Sequence, residues 1–351
     1  MTTETAVRLS RAATMIELGR YDEASRLLAT LVAASPDSPR GWCLLSRAHL
    51  GAGRGAEAVQ AAQKAGALNP ADDWPHRLVS TALLSLGRSQ EAVTAAVEAR
   101  RLAPSFWRSH VCLAQAAIAA GHRQLATDAI TAALAIGPDE PDVQFTAGKV
   151  ALGRGDLAAA REHQRAALAL DPGHSGAVNE LGRISLRERD AAGAAGYFLQ
   201  AARAAPGVGI FGRNTEVALA KVATNIAVLA ALVVAIGVDL SLLTSIRPLP
   251  YAIGMAPLTG LTLGYAALIV RRLPPEGRRH LRRMLLRRQW LLILAAIAGV
   301  VVGLSTVATV IVALSPSGGP ALDSGLAVVI VILAAQLLVT MIIRHARRNI
   351  R

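Results

Sequence analysis

The chain has 351 residues, a net charge of +13, and 53% apolar residues against only 3% aromatics. That length allows two or three domains, and the composition favours helices over sheets, which need β-branched and aromatic side chains to pack a pleated face. Two cysteines, Cys43 and Cys112, exclude a disulfide framework and match no metal-ligand spacing.

The opening stretch, MTTETAVRLSRAATMIELGRYDEA, is polar and acidic in places, without a continuous apolar core. It has no signal-peptide character, so the first half is expected to stay on the cytoplasmic side. Prolines then stand at Pro36, Pro70, Pro104, Pro138, Pro172 and Pro206, each gap being 34 residues. Gly19, Gly53, Gly87, Gly121 and Gly155 keep the same period, as do Ala24, Ala58, Ala92, Ala126, Ala160 and Ala194. A fixed period of this size means stacked supersecondary units. The proline ends a helix because it lacks an N–H and crowds the preceding turn. The glycine suits the sharp turn between two helices, where a positive φ is required. The alanine, early in the second helix, lets neighbours approach. One helix pair cannot bury its own apolar face, so the units must stack.

This combination resembles the tetratricopeptide repeat family. With the proline as position 32, six units begin at Thr5, Pro39, Asp73, Trp107, Pro141 and Ser175 and cover residues 5–206. Position 8 is small throughout: Ala12, Ser46, Ser80, Ala114, Gly148 and Gly182. Position 4, often Trp in the family, is Trp42 once and otherwise Arg8, His76, His110, Gln144 and Val178, and Arg189 replaces the turn glycine of the sixth unit. The resemblance implies an all-α superhelical solenoid over residues 1–206 whose concave face binds a protein segment. Positions 2, 5, 9 and 12 of the first helices would line that face. They supply Arg40, Arg47, Arg77, Arg108, Lys149 and Arg183 as cations, Trp74 and Phe145 as apolar anchors, and Gln115 and Asn179 as polar groups. Arginine forks suit carboxylates, so an acidic or carboxylate-ended segment is the expected partner.

After Pro206 the period stops. Residues 1–206 hold 22 Lys and Arg against 20 Asp and Glu, whereas residues 207–351 hold 15 against 4. The basic residues lie beside apolar runs, which points to membrane topology before nucleic acid. The runs are 222–246, interrupted only by Asp239, then 249–270, 290–314 and 325–343. Each is long enough for a bilayer core of about 30 Å, so a bundle of four transmembrane helices is expected over 207–351. Arginines cluster between the second and third runs and after the fourth, while the other two loops hold only Arg247. Positive loops stay inside, which predicts a multi-pass plasma-membrane protein with both termini cytoplasmic. In EGRRHLRRMLLRR, Leu281, Met284 and Leu285 fall at helical spacing. That stretch reads either as a bare topology signal or as a helix on the inner leaflet, with Arg278, Arg279, Arg282, Arg283, Arg287 and Arg288 on lipid head groups.

No metal-protease, phosphate-loop or dinucleotide motif is present, so neither catalysis nor a cofactor or metal is expected. Arg outnumbers Lys 34 to 3, which fits a GC-rich, bacterial genome. The sequence therefore reads as a membrane-anchored protein-interaction scaffold. The alternative is a small-molecule or ion transporter with a regulatory repeat domain.

Overall fold

The computed structural model describes residues 3–244 and 264–285, with side chains at 4–229 and 264–285. Among these residues every regular element is a helix. They are α1 (Thr3–Glu17), α2 (Tyr21–Ala34), α3 (Pro39–Gly51), α4 (Gly55–Leu68), α5 (Asp73–Ser85), α6 (Ser89–Leu102), α7 (Trp107–Ala120) and α8 (Arg123–Ile136). Then come α9 (Pro141–Arg154), α10 (Leu157–Leu170), α11 (Ser175–Arg187), α12 (Ala191–Ala204), α13 (Gly209–Thr244), α14 (264–272) and α15 (Pro275–Leu285). Helices α3, α5, α7, α9 and α11 start on the residues at which the period places units two to six. The chain forms two compact units, Met1–Glu180 and Leu181–Arg351.

In the first unit consecutive helices pair as hairpins, and each pair packs on the next mainly through its second helix against the next first helix, with successive first helices also in contact. The turn glycines Gly19, Gly53, Gly87, Gly121 and Gly155 all have φ between +73° and +86°. A Cβ on any of them would meet nothing within 4 Å. Glycine is there for backbone handedness, not for room. The left-handed residue lets the next N–H reach back five residues, as Arg20 N to Met15 O at 2.8 Å and His122 N to Ala117 O at 2.8 Å, which closes the helix end.

Position 4 shows one job done by three side chains. Trp42 Nε1 donates to Pro36 O at 2.8 Å, and Gln144 Nε2 donates to Pro138 O at 2.8 Å. His110 Nε2 lies 2.7 Å from Pro104 O. Each ties its helix to the carbonyl of the proline six residues earlier, so His110 and Gln144 make the same contact as Trp42. At position 8, Ser46 Oγ donates to Ala58 O at 2.8 Å. A Cβ on Gly148 would run into Gln164 Nε2, so glycine here makes room for the large residue on the facing helix.

The second unit has its own core. Ala191, Ala192, Ala194, Ala195 and Phe198 of α12 meet Ala218, Leu219, Val222 and Ala223 of α13, together with Leu273 and, on α15, Leu281 and Met284. The sixth helix pair thus shares its core with the helices that follow it, which is why the compact units divide at Glu180 whereas the sequence period runs on to Pro206. Its turn residue Arg189 adopts φ +66°, a conformation that strains a side chain carrying a Cβ. Arg189→Gly is expected to raise stability by about 1 kcal/mol, read as a higher urea midpoint at unchanged slope.

The membrane bundle expected over 207–351 is not supported. Among the described residues no helix is long and apolar enough to cross a membrane. The runs 290–314 and 325–343, together with 245–246 and 249–263, lie outside the described residues. Val222, Ala223 and Thr224, at the head of the first run, are buried in protein. Likewise the apolar side of α15 packs into this core rather than lying on a leaflet. Arg287 and Arg288 fall outside the described residues.

Candidate functional site

A groove of about 660 Å³ opens on the first unit, lined by Ile16, Tyr21, Arg47, Leu50, Gly51, Trp74, Arg77, Leu78, Thr81, Phe106 and Arg108. The stacking of α1, α3, α5 and α7 brings these residues together: six of them belong to positions 2, 5, 9 and 12 of α3, α5 and α7. Four of the candidate site residues therefore share one surface, namely Arg47, Trp74, Arg77 and Arg108.

The electrostatics differ from a bare row of forks. Arg77 Nε donates to Asp73 Oδ2 at 2.5 Å, with only 19% and 16% of the two side chains exposed. Ser109 Oγ donates to the same oxygen at 2.9 Å. Helical spacing, i to i+4, makes the ion pair, so Arg77 is already neutralised. The lining contains no carboxylate, and its remaining positive charge rests on Arg47 and Arg108. Phe106 is held between two guanidinium groups, Arg77 at 5.2 Å and Arg108 at 5.5 Å from the ring centre. Arg108 also lies 4.2 Å over the Trp107 ring. Such stacking holds a planar cation in place without using its hydrogen-bond donors.

Sequence reasoning missed Phe106 and Tyr21. Phe106 precedes its helix, outside the four groove positions, and Tyr21 begins a second helix. Composition offered one signal: in a chain with 3% aromatics, Phe106 and Trp107 stand side by side.

The other candidates do not join this groove. Arg40 is exposed and outside the lining. Gln115 Nε2 donates to Thr146 Oγ1 at 3.2 Å. Phe145 packs on the His174 ring at 4.7 Å, with Lys149 Nζ 5.4 Å from its centre. His174 stands 3.6 Å from Asp142, whose carboxyl is held below the usual carboxylate range by His174 foremost and, least, by Arg108. Asn179 is buried, Arg183 is exposed, and neither is free of partners. Burial pushes the Cys43 thiol up to about 12, with Asp72 adding to it, and raises that of Cys112. Both stay protonated and act as small core residues. Among the described residues no group of acidic, His or Cys side chains could hold a metal ion.

The family model "Tetratricopeptide repeat" matches residues 15–73, 80–141 and 145–208, more than half of the chain. The chain belongs to the tetratricopeptide repeat family. A solved tetratricopeptide protein of Thermus thermophilus is 22% identical, with a TM-score of 0.48 over 52% of this chain and 99% of its own. One from Parabacteroides merdae is 11% identical, with a TM-score of 0.53 over 61% of this chain and 84% of its own. A chain of the APC/C Cut9–Hcn1 hetero-tetramer is 17% identical, with a TM-score of 0.52 over 59% of this chain and 41% of its own. For the latter two the likeness is one of fold. No curated protein sequence matches the chain. Tetratricopeptide arrays are suited to protein–protein interaction.

Proposed function

We propose that the chain is a scaffold tethered to the plasma membrane, with both termini cytoplasmic, and that the groove of its first unit holds an acidic segment of a partner protein. The observation that carries the partner is the lining itself: three guanidinium groups, no carboxylate, and the aromatic faces of Trp74, Phe106 and Tyr21 around one groove. An extended acidic segment would set its carboxylates on Arg47 and Arg108 and an apolar side chain against Trp74. The role is binding, not catalysis. The tether rests on the sequence, on four long apolar runs and on arginines confined to alternate loops.

The test is binding of the purified chain to an array of acidic and matched amide peptides. Arg47→Glu with Arg108→Glu is expected to weaken the best acidic binder at least tenfold, about 1.4 kcal/mol, and to leave thermal stability nearly unchanged. Equal affinity of the double variant and the parent chain would remove the groove from the account.

A further inference from the structure

We propose that the arginine face of α15 binds the phosphate head groups of anionic phospholipids, as an electrostatic surface that does not insert. The inference rests on the membrane reading above and adds the site and its lipid chemistry.

Helix α15 is amphipathic, but its two sides have different owners. Gly277, Leu281 and Met284 are buried within the second unit. Glycine at 277 lets Leu199 approach to 3.1 Å of where a Cβ would sit. Arg203 Nε donates to Glu276 Oε2 at 2.8 Å and ties α12 to the start of α15. The opposite side carries Arg278, Arg279, Arg282 and Arg283, all exposed. Glu276 is the one acidic residue of α15, and Arg203 already holds it. The four arginines therefore have no compensating acid on their own helix.

Helix stability does not explain them all. Arg282 and Arg283 sit in the last turn, where the macrodipole favours cations. Arg278 and Arg279 sit near the first turn, where it disfavours them. Cations placed against the dipole, on a face turned to solvent, point to an external anion. The neighbouring helix says which kind. On α14, Tyr265 and Leu268 are one turn apart and 47% and 53% exposed, and exposed Arg271 and Arg272 follow at once. An apolar, aromatic surface passing directly into a cationic one matches the boundary between acyl chains and head groups. A polynucleotide would stack a base on Tyr265 but has no apolar counterpart for Leu268.

The buried apolar side sets the character of binding. A helix lying in an interface gains most from inserting its apolar face, and α15 has none to give. What α15 itself contributes is charge attraction, screened by salt.

The full chain in neutral-detergent micelles is titrated with fluorescent phosphatidylglycerol or phosphatidylcholine. The parent chain is expected to prefer phosphatidylglycerol at least fivefold in about 0.1 M salt and to lose that preference in about 1 M salt, where screening is nearly complete. Arg278→Gln, Arg279→Gln, Arg282→Gln and Arg283→Gln together are expected to abolish it, and the matching four Lys substitutions to keep most of it, since a point charge suffices. A preference that persists in the Gln variant or in high salt overturns the proposal, as does its loss in a folded Lys variant. Full competition by millimolar inorganic phosphate would make this a free-phosphate site. Stronger competition by a single-stranded oligonucleotide would make it a nucleic-acid site. Alkaline extraction of cell membranes is a separate arm. Release of the chain without detergent defeats the membrane tether, whereas retention with no lipid preference defeats only the α15 surface.

Discussion

Phe198→Ala is expected to cost about 3–5 kcal/mol. Phe198 is fully buried and is the largest fully enclosed side chain among the described residues. The rest of the buried face of α12 is alanine: Ala191, Ala192, Ala194, Ala195 and Ala201. Alanines have no flexible ends to swing into a void, so the cavity left by the ring stays open and the loss falls at the upper end. The ring also fills the space left by Gly182, whose Cβ would lie 2.5 Å from Phe198 Cε1. Gly182→Ala should therefore cost about 1–3 kcal/mol by overpacking. Its combination with Phe198→Leu should cost less than the two singles added, because the smaller side chain makes room for the new methyl. Guanidinium unfolding followed by helical circular dichroism gives all four values. A Phe198→Ala variant within about 1 kcal/mol of the parent, or strict additivity in the pair, would falsify this account of the second core.

The helical organisation was legible because a 34-residue clock exposes it. Proline, glycine and alanine each mark a backbone event that no tertiary context can move: a helix end, a left-handed turn, a close approach. That is why five unit starts coincide with helix starts. Pairwise facts were less visible. Reading position 8 column by column shows only that it is small. Position 24, which holds Gln164 and Phe198 opposite Gly148 and Gly182, shows why two units need glycine rather than alanine or serine there. At position 4 the variety of residue names hid a contact to the proline carbonyl that Trp42, His110 and Gln144 share. For α15, periodicity announced an apolar side but not its partner. Protein and acyl chain are equally apolar, so Leu281 and Met284 look the same from the sequence whether covered by α12 and α13 or by lipid.

Asp73→Ala should cost the first unit about 2–4 kcal/mol and make its groove more basic. Both side chains of the Asp73–Arg77 pair are more than four-fifths buried. Removing the carboxylate strands a guanidinium that water reaches poorly, leaves Ser109 Oγ without its acceptor, and takes a favourable anion from the first turn of α5. Partial exposure of Arg77 keeps the loss below that of a fully enclosed pair. Asp73→Asn is the sharper experiment, because its carbonyl still accepts from Ser109 and only the charge is lost, so stability should fall by about 1–2 kcal/mol. The liberated Arg77 remains over the Phe106 ring at the groove wall, beside Arg47 and Arg108. If the groove takes an acidic segment, Asp73→Asn should tighten that peptide at least threefold, and Arg77→Ala added to it should return affinity to the parent value or below. A binding site for a neutral or basic segment would respond in the opposite direction. Asp73 thus sets two quantities of opposite sign, the rigidity of the array and the charge it presents, and a single conservative substitution separates them.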